Sequence, residues 1–152
     1  RTMTAARTLG AEVVLLETPP TFTPVERNRD AMRRFFAEVV GDRGDLVIAW
    51  EPRGVWEPAQ AARFAEELGL VYAYDPLQLG EEPPPATATA YFRLHGLGFY
   101  RNRITDDKLD ELAELLGAYE RAWVVFVEAE KYRDAQRFRK LLLGREFVGE
   151  PE

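Results

Sequence analysis

The residue pattern predicts an α/β fold with a parallel sheet, on three observations. Five short apolar runs punctuate the chain: Glu12–Leu16, Leu46–Trp50, Leu70–Tyr74, Ala90–Leu94 and Ala122–Val127. Four of them are near-continuous in Val, Leu and aromatic residues, as strands buried on both faces are; Arg93 interrupts the other. The runs begin 34, 24, 20 and 32 residues apart, close to the roughly 30 residues of a βα unit, and amphipathic segments fill the gaps.

Each element has its own local reason. Arg1–Gly10 reads as the end of a helix. Thr23-Pro24-Val25-Glu26 reads as a capping box with Pro at the first helical position, opening a helix with Met32, Phe35, Phe36 and Val39 on one face. Pro58 opens a helix carrying Ala61, Phe64, Ala65 and Leu68, which Gly69 stops. Glu81-Glu82-Pro83-Pro84-Pro85 cannot be helical and reads as a stiff loop. Thr105 caps a third long helix, with Asp106 and Asp107 favourable to its dipole and Leu109, Leu112, Ala113 and Leu116 as its stripe. The last helix is expected from Lys131 to Leu143, with Tyr132, Ala135, Phe138 and Leu142 inward and Gly144 after it. Residues 145–152 read as a flexible tail, and the whole as a single domain.

Composition narrows the chemistry. The 152 residues are 46% hydrophobic and 30% charged, the balance of a globular domain. No apolar run approaches the roughly 18 residues that span a bilayer. Nothing near the start resembles the apolar core of a signal peptide, so a cytoplasmic address away from membranes is expected. The chain has no Cys, no Ser and one His, which excludes disulfides, thiolate zinc sites, Cys nucleophiles and Ser-His-Asp triads. A net charge of −6 argues against a surface coated in nucleic acid, although a local Arg groove is compatible with it. The first strand is followed by Glu17-Thr18-Pro19-Pro20 rather than a glycine fingerprint, and no P-loop occurs. Five strands suit either a small open sheet or part of a larger barrel, since a closed (β/α)8 barrel takes about 250 residues.

Ionisable residues gather just past the C-terminal ends of the runs, the rim where parallel α/β folds bind ligands. Glu17 follows the first, Glu51 and Arg53 the second, Asp75 the third, Arg93 and His95 end the fourth, and Glu128 follows the fifth. His95 is the one side chain whose ordinary pKa suits proton transfer near neutrality; the bland alternative is a satisfied histidine at a strand end. Glu51 and Arg53 flank Pro52 on an extended segment and point to the same side, as a carboxylate beside an anion-binding fork or as an internal ion pair. Asp75 before Pro76 is an acid or a turn former, and Glu128 a ligand or a solvated charge. Trp56 could stack on a ligand or lie buried. Gly96, Gly98, Arg101 and Arg103 could form an anion-binding nest or a plain basic loop. Glu51, Asp75, His95 and Glu128 could together hold a metal, but no ligand spacing points to one.

The order of motifs resembles the C-terminal part of the domain-of-unknown-function-72 (YecE-like) family. Its Gln-Leu-Pro-Pro-Ser-Phe strand end is similar to Leu16-Glu17-Thr18-Pro19-Pro20-Thr21-Phe22, and its Glu-Phe-Arg-His-x-Ser-Trp segment to Glu51-Pro52-Arg53-Gly54-Val55-Trp56. The most specific match is Tyr-Val-Arg-x-His-Gly with Tyr91-Phe92-Arg93-Leu94-His95-Gly96, where Tyr100 stands for a following aromatic. An Asn-Ala pair in the family's closing helix is similar to Asp134-Ala135. The resemblance runs from about Ala11 to Leu143. The departures are Glu17 for Gln, Gly54 for His, and Phe126-Val127-Glu128 for Phe-Asn-Asn.

The resemblance implies parallel β/α units of a TIM-type barrel, here incomplete, with the first strands missing or supplied by another chain. The resemblance supplies a fold and no reaction; the charged rim is what points to an enzyme acting on an anionic or phosphate-bearing small molecule. His95, Glu51 and Asp75 are then the catalytic acid/base set, and Arg53, Arg93, Tyr100, Trp56, Glu17 and Glu128 line the substrate. Two rivals are a non-catalytic binding or scaffold protein whose rim is an ion-pair network, and a nucleic-acid-processing barrel. No cofactor is named by any motif.

Overall fold

The computed structural model describes residues 2–40, 43–79, 87–96, 103–127 and 130–146. The chain divides into two compact units, Arg1–Ala73 and Tyr74–Glu152. The fold is α/β, and all of the described strand pairs within the two units are parallel.

The first unit opens with α1 (Thr2–Thr8), then β1 (Val13–Thr18), α2 (Glu26–Arg34), β2 (Val47–Pro52), α3 (Pro58–Glu67) and β3 (Val71–Tyr74). β1 pairs with β2 from Val13↔Val47 through Glu17↔Glu51 to Thr18↔Pro52, and β2 with β3 at Ala49↔Val71 and Trp50↔Tyr72. Strand alternation sends Ile48 and Trp50 into a core with Met32 and Phe36 from the α2 side and Ala61, Phe64 and Ala65 from α3. Ala49 and Glu51 take the opposite face.

α3 begins at Pro58 as predicted, and Gly69 ends it at φ +62°, a conformation that costs a residue with a Cβ. Arg43 adds a cap from a distance, donating to the Leu68 and Gly69 carbonyls at 2.7 and 3.0 Å. The start of α2 departs from the capping box. The helix begins at Glu26 with Val25 at the N-cap and no side-chain cap. Thr23 is engaged instead by Asn28, whose amide donates to its carbonyl at 2.9 Å. Beyond Arg34 the turns widen into π-helical geometry over Phe35–Val40. That widening rotates the face away from the simple helical expectation: Met32 and Phe36 are buried while Phe35 is 42% exposed.

The second unit holds β4 (Thr89–Leu94), α4 (Asp106–Leu116), β5 (Arg121–Phe126) and α5 (Lys131–Glu146). β4 and β5 run in register from Thr89↔Arg121 to Leu94↔Phe126. Ala90, Phe92 and Leu94 pack beneath Leu109, Leu112 and Ala113 of α4 and Phe138 of α5. By alternation Tyr91 and Arg93 occupy the other face. Thr105 is the N-cap of α4 as expected, though its hydroxyl makes no capping bond.

α5 corrects two expectations. Gly144 lies within it, not after it, and its helical backbone reaches residues 145 and 146. Tyr132 is 75% exposed, while Asp134 is fully buried in its place. The stripe is set by Asp134, Phe138 and the partly buried Leu141 and Leu142, two positions on from where Tyr132 would start it. The proline-rich loop at 81–85 lies outside the described residues. No helix among the described residues is long and apolar enough to cross a membrane.

Candidate functional site

Two polar clusters sit at the C-terminal ends of strands, one in each unit. In the first, the β1–β2 register sets Glu17 beside Glu51. Arg53 follows one residue past β2, anchored where its backbone N–H donates to the Thr18 carbonyl at 3.1 Å. Its guanidinium reaches back to the Glu51 carboxylate at 3.1 Å, with Glu17 further off at 3.8 Å. Glu51 is only 6% exposed, so this cation offsets part of the cost of burying its charge. Burial, and behind it the Glu51 charge, pushes the Tyr72 phenol up to about 12, so Tyr72 is a neutral donor at any physiological pH.

Trp56 belongs to the core below this cluster. It is buried, its Nε1 donates to the Phe22 carbonyl at 2.7 Å, and its ring stacks on Phe22 and Phe64 at 6.1 and 5.5 Å. Those contacts, with the edge of Trp50 at 5.0 Å, occupy the ring that a ligand would need. Gly54 has a steric cause: a Cβ there would lie 2.8 Å from the Pro20 carbonyl oxygen and 3.3 Å from that of Phe22. The β1 loop passes too close for any side chain at this position.

In the second unit, Asp75 is the residue just past β3 and caps a 3-10 turn, Pro76–Gln78. One carboxylate oxygen accepts from the Leu77 N–H at 3.0 Å; the other accepts from the Gln78 side-chain amide at 2.9 Å and the His95 backbone N–H at 2.8 Å. Gln78 also donates to the Gly96 carbonyl at 3.0 Å, so the turn clamps the end of β4 at two points. The imidazole of His95 is exposed beside this clamp and Arg93 is half-buried two residues earlier. Gly96 follows at φ +84°, a conformation open to glycine.

Asp75 is 9% exposed, and burial raises its carboxyl above the ordinary range despite the opposing hydrogen bonds from His95, Leu77 and Gln78 and the His95 charge. The folded protein therefore binds a proton here at pH values where the unfolded chain has released it. The stabilisation from that proton is full below about pH 4 and disappears as pH rises through the raised folded value. Urea midpoints of the wild type and Asp75→Asn across that range test this. The wild type should lose ground relative to the variant as pH rises, and a pH-independent gap would contradict a buried, proton-holding carboxyl.

The structure thus groups Glu17, Glu51 and Arg53 in the first unit, and Asp75 with His95 and Gln78 in the second. Glu51 and His95, expected to act as a pair, belong to different units; the partner of Glu51 within its own unit is Arg53. Tyr100, Glu128, Gly98 and Arg101 lie outside the described residues. Among the described residues no three His, Asp or Glu side chains come together as a metal site. No family model, curated protein or solved structure matches the chain.

Two positioning groups escape a linear reading. Gln78 carries no motif beyond its distance from Asp75. Asp134 accepts from the Ile104 N–H at 2.7 Å and from Arg137 at 2.6 Å, while Arg137 donates to the Ile104 carbonyl at 2.8 Å and pairs with Asp106. This latch fixes the chain where it enters α4. Its trace in the sequence is an acid four residues before Phe138, in the apolar stripe of a helix.

Proposed function

We propose that the chain is part of a YecE-like, TIM-type β/α barrel that acts as an acid/base enzyme on an anionic or phosphate-bearing small molecule. The observation that carries this reading is the Asp75–His95 clamp: a buried carboxyl holds the backbone of the only histidine, at the strand end where α/β folds bind ligands. His95 would exchange the proton with substrate, Asp75 and Gln78 would hold it in place, and Arg93 would grip the anion through its planar fork. Glu17, Glu51 and Arg53 form a second charged strand end in the first unit, suited to orienting polar groups of a substrate.

The test is calorimetric titration with inorganic phosphate and a simple phosphomonoester, followed by turnover of the ester. Arg93→Lys should weaken binding at least tenfold, because a point charge replaces a bidentate donor. His95→Ala should bind but lose turnover. Unchanged binding and turnover in both variants would overturn the assignment.

A second reading has its own support, since Glu51 and Asp75 are both engaged by internal donors as in a structural network. A scaffold of that kind would bind neither probe, and both Glu51→Gln and Asp75→Asn would be destabilising. At an active site such changes are often neutral or stabilising.

A further inference from the structure

α4 and α5 neighbour one another in the second unit, tied by the Arg137–Asp106 pair, and carry opposite charge. α4 has five carboxylates against one lysine, and α5 six cations against two carboxylates. The α5 cations run against the overall charge of the chain, which is −6. Arg133, Arg139 and Lys140 are exposed and make no ion pair with any described residue. The same outward side carries Tyr132 and, at 46% exposure, Leu143. Exposed carboxylates on α4 include Asp107 and Glu114, the latter also engaged within its own chain.

The spacings match. Arg133 and Lys140 are seven residues apart, as are Asp107 and Glu114, a separation of about 10.5 Å along each helix. An α5 laid antiparallel on an α4 brings Arg133 to Glu114 and Lys140 to Asp107. We propose that the α4–α5 face docks on the same face of a second copy of this chain. Twofold symmetry makes the contact twice, α4 on α5 and α5 on α4. The occupant is a second copy because the complementary acidic stripe is on the neighbouring helix of the same unit, at the same repeat. Tyr132 and Leu143 supply the apolar part of an otherwise charged interface.

Sedimentation velocity of the whole chain tests this independently of any catalytic activity. A dimer should form at about 50 mM NaCl and weaken at least tenfold by about 500 mM. Arg133→Glu/Lys140→Glu should be monomeric, and so should Asp107→Lys/Glu114→Lys, since each then meets its own charge. Mixing the two variants should restore a dimer, because every apposed pair is again opposite; that recovery also establishes that both fold. A wild type that stays monomeric at low salt would overturn the proposal, as would one that is retained only on a polyanion, or reversal variants that still dimerise alone.

Discussion

Replacing Trp50 by Ala is expected to destabilise the protein by about 3–5 kcal/mol, the largest loss from any single side chain in the first unit. Trp50 is fully buried at the centre of β2, between Trp56 at 5.0 Å and Phe64 at 5.7 Å, both edge-on. Its Nε1 donates to the Thr18 hydroxyl at 3.1 Å, which ties β2 to the end of β1. Truncation would remove the indole and leave a cavity ringed by aromatics too rigid to collapse into it. It would also leave the Thr18 hydroxyl without that donor. Urea unfolding followed by circular dichroism reads the effect. Trp50→Phe should recover most of it, because the ring area returns and only the hydrogen bond is lost. A loss below about 1.5 kcal/mol for Trp50→Ala would mean that this core is not packed as described.

The second large effect is at Asp134, where Ala should cost about 3 kcal/mol. The carboxylate is fully buried and satisfies two donors, the Ile104 N–H and the Arg137 guanidinium. Removing it strands the N–H of Ile104, a residue with 1% exposure, and leaves Arg137 with Asp106 and one carbonyl. Asp134→Asn should cost less, because its carbonyl still accepts from Ile104 while its amide faces the guanidinium. Equal stability of the wild type and Asp134→Ala in urea would show the latch to be dispensable. Because the latch holds the segment entering α4, hydrogen exchange at Ile104 should speed up in the Ala variant by a larger factor than in β4.

Much of the fold was legible because its signals are local. Pro58 and Gly69 bound α3 through the fixed φ of proline and the positive φ open to glycine. The five apolar runs became the five strands, displaced by no more than two residues at either end. The candidate site was legible only as a tendency, charged residues just past strand ends. Its partnerships were not. Nothing linear says that Arg53 takes Glu51 more closely than Glu17, or that Asp75 accepts from the backbone N–H of His95.

By itself, the sequence determined the kind and order of the elements and which chemistries were closed to the protein. It has no thiol or serine to act as a nucleophile, and a single imidazole. Tertiary structure decided the phase of each face and the use of each polar group. Periodicity says which residues share a stripe, but only the neighbouring element decides which stripe is covered. That is why Asp134 is buried in α5 while Tyr132 faces out. It is also why Trp56 became core, since Phe22 and Phe64 arrive from elsewhere in the chain to close over it. Gly54 follows the same logic: its missing side chain is required by a carbonyl from the β1 loop, a constraint that exists only once the chain has folded.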